Sequence, residues 1–383
     1  MKIVIAPDSF KESLSATEVC QCIETGFRDV YPNAHYHHLP LADGGEGTLD
    51  VILAGVQGEK RFNTVKGPMG QPVKASWALL EQGKTAVIEV AEAAGLHLVP
   101  QLERNPELAT TFGVGELINT ALNEGVSKII IGLGGSATND GGAGIIQALG
   151  GRLLDASGQD LAPGALALHA LHSLDLSAVN PRSASVEIVL MCDVNNPLTG
   201  AQGASQVFAP QKGANPQQVS ILDDALVHFA RVVERVSGVD YTGRTGFGAA
   251  GGIPLGLSVL FATQLHSGIG MVLDLLHAEH VLTDADLVIT GEGKMDNQTL
   301  QGKAPFGIAQ RAKMAGIPVI GLAGSLGESV DALDEYMDAL FGTVRAPQEL
   351  AVALKEARHN LIRTARNLAR MLKLGETLAG RHG

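Results

Sequence analysis

The sequence predicts an α/β protein: a doubly wound parallel-sheet domain of the Rossmann or flavodoxin-like kind, with a second, mixed α/β domain inserted into it. Three observations predict this. Strands and helices alternate at both ends of the chain. The stretch between them opens with short strands punctuated by hairpin turns. Glycine, 47 of 383 residues or about 12% against an average of about 7%, clusters with Asp, Ser and Thr where apolar runs end. At roughly 150 residues per domain, the length suits two domains or at most three.

The apolar run at 3–6 reads as a first strand, stopped by Pro7 and Asp8 and followed by the polar turn Asp8-Ser9-Phe10-Lys11. A helix follows from Ala16 to Val30: Ser15 and Glu18 form a capping box, and Ala16, Val19, Ile23, Phe27 and Val30 recur at helical spacing. His35 to Leu41 reads as a second strand. It ends in Ala42-Asp-Gly-Gly-Glu-Gly-Thr48, which opens another helix. Val73–Leu80 and Thr85–Val90 form the arms of a hairpin. A helix at 113–124, closed by Gly125, leads into the strand Lys128–Ile131, a unit assignable to either sheet. The glycine-rich stretch 132–142 and another helix follow. Val186–Met191 is a strand ending at Cys192-Asp-Val-Asn-Asn196, and Pro216–Val236 is a long amphipathic helix. Past 280 the alternation returns, with a strand at Asp286–Thr290, the loop Gly291–Asp296, a helix at 304–315, and strands at 318–322 and 338–341. A basic terminal helix at 347–378 packs through Leu350, Leu354, Leu361, Leu368 and Leu372. The predicted domains are 1–62 plus 280–383, and 63–279.

Composition excludes several classes of function. The chain is 45% hydrophobic and 18% charged, with mean hydropathy +0.16, far from the signature of disorder. Its net charge of −12 argues against nucleic-acid or anionic-membrane partners. Three cysteines make no disulfide framework and no zinc spacing. No run reaches membrane-spanning length, and the first residues read as a strand rather than a secretory signal. A cytoplasmic protein is expected, as monomer or homodimer.

Five loops share one design, an apolar strand running into a turn that carries acidic, lysine or hydroxyl side chains: 8–11, 43–48, 132–142, 193–196 and 291–296. In open α/β sheets ligands bind at the carboxyl ends of parallel strands, so these loops point to a site for a polyanion and a metal. Gly132-x-Gly134-x-x-Ala137 also fits a dinucleotide fingerprint, which keeps a nicotinamide-dependent dehydrogenase open. The P-loop, the serine-hydrolase elbow and the protein-kinase signatures are absent. Phosphoryl transfer needs charge neutralisation, positioning and a base, and these loops contain such groups. Asp193 is the candidate base, with Asx-turn formation before Pro197 as its structural alternative. Asn195 and Asn196 beside it are amides suited to substrate oxygens, and Lys212 is suited to a carboxylate or phosphate.

The opening Lys2-Ile-Val-Ile-Ala-Pro-Asp-Ser-Phe-Lys-Glu-Ser-Leu-Ser15, with Ala42–Thr48, Gly134-Gly-Ser-Ala-Thr138, Cys192-Asp-Val194, Phe208-Ala-Pro-Gln-Lys-Gly213 and Ile289-Thr-Gly-Glu-Gly293, resembles the type-1 glycerate kinase family of bacteria. The resemblance implies ATP-dependent phosphorylation of (R)-glycerate, usually at the 2-hydroxyl, by an enzyme of two α/β domains; the acidic loops themselves call for Mg2+, since they would otherwise repel a triphosphate. The roles assigned to individual residues are our own reading. Asp193, Lys11 and Lys294 are assigned to catalysis. Asp8, Ser9, Asn195, Asn196 and Lys212 are assigned to the substrate. Gly134, Gly135, Ser136, Thr138, Gly291 and Gly293 are assigned to the nucleotide phosphates, and Asp43, Glu46, Glu292 and Asp296 to the metal. A dehydrogenase using NAD and a non-catalytic sugar-acid binding protein stand as alternatives.

Overall fold

The computed structural model describes residues 1–381. Its strands, in chain order, are β1 (Lys2–Ile5), β2 (His35–His38), β3 (Gly58–Lys66), β4 (Pro72–Leu80), β5 (Thr85–Glu89), β6 (Lys128–Gly132), β7 (Arg152–Leu154), β8 (Ser173–Asp175), β9 (Glu187–Met191), β10 (Ala262–His266), β11 (Leu287–Met295), β12 (Val319–Leu326) and β13 (Ala339–Gly342). The chain divides into two units. Unit 1 is Met1–Asp43, Asp50–Val56 and Ile269–Gly383; unit 2 is Gly44–Leu49 and Gln57–Gly268. The crossings therefore fall at 56/57 and 268/269 instead of 62/63 and 279/280, and a short piece of the second loop, Gly44–Leu49, belongs to unit 2.

Unit 1 is built on a sheet of order β13-β12-β11-β1-β2, with every neighbouring pair parallel. Counted along this unit, that is the flavodoxin-like order 2-1-3-4-5, which reverses direction between β1 and β11. Ile3, Ile5, Leu287 and Ile289 pack against Ile23 and Phe27 of the helix Ala16–Arg28 and against Leu361 and Ala365 of the helix Leu350–Ala379. The alternate residues Val4 and Val288 are also fully buried, and the helix Ala304–Met314 runs against β11 and β12. Burial on both faces is what parallel strands require. The two helices cross closely at Gly26, where a Cβ would stand 2.6 Å from the Ile362 carbonyl oxygen. The Ser15–Glu18 capping box starts the first of them as expected.

Two expectations for unit 1 change. The segment 291–296, expected as a loop, is strand as far as Met295, with Lys294 opposite Ser325 and Met295 opposite Leu326. Its glycines allow close strand approach: a Cβ on Gly291 would lie 2.3 Å from the Leu322 carbonyl oxygen. In the terminal helix Leu361 and Leu368 are buried, but Leu350 is 70% exposed; Leu350 and Leu354 line a pocket instead of the core.

Unit 2 has a mixed sheet of order β10-β9-β6-β5-β4-β3. Strands β5, β6, β9 and β10 are parallel, while β3, β4 and β5 form an antiparallel meander that includes the expected hairpin. The helix Phe112–Glu124 and β6 belong to this sheet, and Gly125, at φ +93°, ends the helix. Trp77, Ile88, Leu117, Ile131 and Ile188 make its core. The helix Pro216–Ser237 starts with an Asn215–Gln218 capping box and buries Leu222 and Phe229; Val236, expected on that face, is exposed. Strands β7 and β8 form a separate two-stranded ribbon. Among the described residues, no helix is long and apolar enough to cross a membrane.

Candidate active site

In unit 1 the reversal of strand order sets the carboxyl end of β1 beside the outer half of β11, with the Asp8 N–H donating to the Gly291 carbonyl at 2.8 Å. Asp8 is buried and its Oδ1 accepts from Ser9 N at 2.6 Å. Burial, and then the charge of Asp43, push its pKa up to about 7. The turn after it is tight, with Glu12 at φ +62°, and Ser13 Oγ fastens it to the Leu354 carbonyl at 3.0 Å, which leaves Lys11 exposed. Glu292 is buried, accepting from Thr299 Oγ1 at 2.6 Å and Lys303 Nζ at 3.0 Å; burial raises its pKa against both partners. Asp8, Lys11, Glu12, Asp43, Glu292, Lys294 and Lys303 form the charged part of a cavity of about 360 Å³.

The remaining metal assignments from sequence do not assemble into a cage. Asp296 accepts from Gln298 N at 2.9 Å and pairs with Lys294 at 3.1 Å; the Gln298 N–H, followed by Lys294, lowers its pKa. Asp296 thus caps the turn that follows β11. Glu46 is exposed, in unit 2. Among the described residues, no three His, Cys, Asp or Glu side chains are grouped to hold a metal ion. Gly291 and Gly293 lie on a strand and do not form a phosphate-wrapping loop. Sequence reasoning missed Lys303, whose only local signal is its place just before the Ala304-Pro305 helix start.

In unit 2 the four parallel strands finish level, with Glu89 beside Gly132, Gly132 beside Met191 and Met191 beside His266. The loop after β6 contradicts part of the expectation. Gly134 N donates to Gly44 O at 3.3 Å and Ala137 N to Ala94 O at 2.8 Å. Thr138 is fully buried. Asp140 occupies the start of the helix Ala143–Ala148: its carboxylate accepts from Thr111 N (2.8 Å), Thr111 Oγ1 (2.9 Å), Gly142 N (3.1 Å) and Gly144 N (3.2 Å). Burial still raises its pKa. The anion at this helix start is thus the chain's own, which removes Gly134 and Thr138 as phosphate donors and takes the place a dinucleotide pyrophosphate would need. Gly135 stays exposed at the loop tip with Ser136 beside it.

Lys212, expected to meet a ligand, lies inside the protein. Its ammonium donates to Ser136 Oγ at 2.9 Å and to the Thr138 carbonyl at 2.7 Å, and burial lowers its pKa to about 7. The turn Pro210–Lys212, closed by Gly213 at φ +101°, carries it there. Asp193 follows β9, and its Oδ1 accepts from Ser267 Oγ and Gly268 N, both at 2.9 Å. The Asn196 amide donates to the Gln202 carbonyl at 2.8 Å and so braces its own loop instead of reaching a substrate; Asn195 is exposed. Sequence reasoning also missed Glu89, a buried carboxylate that ends β5 and receives the N–H groups of Gly47 and Leu49.

Lysines and carboxylates gathered at the carboxyl ends of parallel strands are the equipment of a phosphotransferase. Comparison with known proteins agrees. Residues 3–373 match the model of the glycerate kinase family. The chain is 49% identical over 379 residues to a glycerate kinase of Bacillus subtilis (strain 168), covering 99% of each. It is 47% identical to a glycerate 2-kinase of Escherichia coli (strain K12), covering 99% of this chain and 100% of that one. A crystal structure described as a glycerate kinase 2, from Salmonella typhimurium LT2, superposes with a TM-score of 0.86 at 50% identity, covering 98% of this chain and 99% of that one. The chain belongs to the glycerate kinase family, and is accordingly an enzyme of the kinase class.

Proposed function

We propose that this enzyme transfers the terminal phosphoryl group of ATP to the 2-hydroxyl of (R)-glycerate, giving 2-phosphoglycerate, in the cytoplasm. The observation that carries the reading is the set of three lysines, Lys11, Lys294 and Lys303, lining one pocket with carboxylates at the switch point of an all-parallel sheet. That is where a phosphorylated ligand binds in this architecture. Relatives named glycerate kinase and glycerate 2-kinase at nearly half identity support glycerate as the acceptor.

Phosphoryl transfer is mostly positioning and charge compensation. Lys11 and Lys294 offset the charge of the transferred group, and Lys303, braced by Glu292, adds a third cation. Asp193 takes the proton of the attacking hydroxyl: Ser267 and Gly268 fix one carboxylate oxygen and so orient the group. Ser136 is buried and receives the Lys212 ammonium, which braces the loop that carries the exposed Gly135. Magnesium usually binds through one or two carboxylates together with substrate phosphates. Asp43 lines the same pocket as the lysines and would hold the ion with the triphosphate. Once bound, Mg2+ offsets phosphate charge.

The test is ADP formation by the purified chain. ADP appearing only when (R)-glycerate, ATP and Mg2+ are all present supports the reading. ADP release indifferent to glycerate, or none in the complete mixture, overturns it.

A further inference from the structure

We propose that the cavity of unit 1 holds the adenine ring of the nucleotide, and that Asn360 is the residue that reads it. This deepens the kinase reading above and rests on it.

The cavity has two chemistries. Its charged side comes from the ends of β1 and β11. The rest comes from the terminal helix Leu350–Ala379 and the segment before it, with Leu350, Ala353, Leu354, Ala357 and Val344 lining it, and Phe10 from the first turn. Glycerate is small, carries oxygen on every carbon, and gains little from that apolar wall. A volume of about 360 Å³, mostly apolar with a few placed polar groups, suits a flat heteroaromatic ligand.

Asn360 narrows the choice. It is 1% exposed, it lines the cavity, and neither its Nδ2 nor its Oδ1 has a hydrogen-bond partner. Leaving both ends of a buried amide unmatched is costly, and no core-packing role calls for it, since an isosteric leucine would fill the same space. A side-chain amide offers one donor and one acceptor side by side. The adenine edge offers the complement, an amino donor next to a ring-nitrogen acceptor, and Asn pairs with adenine in two hydrogen bonds for that reason. Guanine presents two adjacent acceptors on the corresponding edge and leaves Oδ1 unmatched. The lysines sharing the cavity are then placed for the phosphates of the same molecule. Asn360 therefore determines nucleotide specificity, with no part in the chemical step.

The test is calorimetric titration of the full chain with ADP, GDP and inorganic tripolyphosphate, in the wild type, Asn360→Leu and Ala353→Phe. The wild type is expected to bind ADP at least tenfold more tightly than GDP. Asn360→Leu should weaken ADP by about ten- to hundredfold and raise KM for ATP with kcat little changed. It should leave tripolyphosphate affinity as it was and keep or raise Tm, because a buried unmatched amide is gone. Ala353→Phe, which narrows the cavity from the helix side, should weaken ADP in the same way. Unchanged ADP affinity in both variants, equal binding of ADP and GDP, or parallel loss of tripolyphosphate would overturn the proposal. If the wild type forms no phosphoglycerate yet shows the Asn360-dependent preference for ADP, the kinase reading fails and the adenine site stands. If it turns over normally and the variants bind ADP as it does, the adenine site alone fails.

Discussion

The Lys212 ammonium donates to Ser136 Oγ at 2.9 Å from a position that is almost solvent-free. Burial lowers its pKa from 10.5 to about 7. The folded protein therefore binds fewer protons than the unfolded chain between those two values, and stability rises with pH across that window. Lys212→Met removes the titrating group, so its Tm relative to wild type should be most favourable at pH 6 and should fall as the pH is raised toward 10. Melting curves of both proteins across that range check this; a difference independent of pH would mean that the amine keeps an ordinary pKa in the folded protein.

Asp8 behaves in the opposite sense. Its folded pKa of about 7, against an ordinary 3.8, means that the fold binds the extra proton, and stability falls as pH rises from about 4 through 7. Asp8→Asn keeps the acceptor for Ser9 N and removes the buried charge. In metal-free buffer it should match wild type at low pH and melt several degrees higher at pH 8. Calorimetry at the two pH values decides, and equal Tm differences at both would contradict the assignment.

Asp193→Asn retains an oxygen for Ser267 and Gly268 but cannot take a proton. The kcat should fall roughly 10²- to 10⁴-fold with little change in glycerate affinity, and added Mg2+ should not restore it. Steady-state kinetics at several Mg2+ concentrations measure all three quantities. Near-normal kcat would reduce Asp193 to a turn-capping residue.

Gly291 distinguishes a packed strand from a phosphate loop. A methyl group there would stand 2.3 Å from the Leu322 carbonyl oxygen, so Gly291→Ala should cost about 1–3 kcal/mol of stability through overpacking. A drop in Tm is expected. Unaltered Tm with weakened nucleotide binding would return Gly291 to the role first expected of it.

These positions show what sequence could and could not reveal. Periodicity and capping placed the helices from Ala16 and Pro216 closely, because Ser15–Glu18 and Asn215–Gln218 are local signals. The carboxyl-end rule singled out Asp8, Lys11, Asp193 and Glu292, because each lies at or within a few residues of the end of an apolar strand run. What sequence could not say is which way each group faces. Asp140 reads like Asp193, yet one caps a buried turn and the other sits partly exposed beyond β9. Gly291 reads like Gly135, yet one touches a neighbouring strand and the other a loop tip. Lys303 and Asn360 were illegible because they reach the cavity from a helix start and from the middle of the terminal helix, and neither belongs to a strand-end loop.

The most direct measurement of the central claim is phosphorus NMR of the products formed by the purified chain from (R)-glycerate, ATP and Mg2+. One new phosphomonoester, 2-phosphoglycerate, is expected in equal amount to ADP and absent when EDTA exceeds the metal. Formation of 3-phosphoglycerate would contradict the acceptor hydroxyl, and ADP with inorganic phosphate but no phosphoglycerate would contradict the transfer itself.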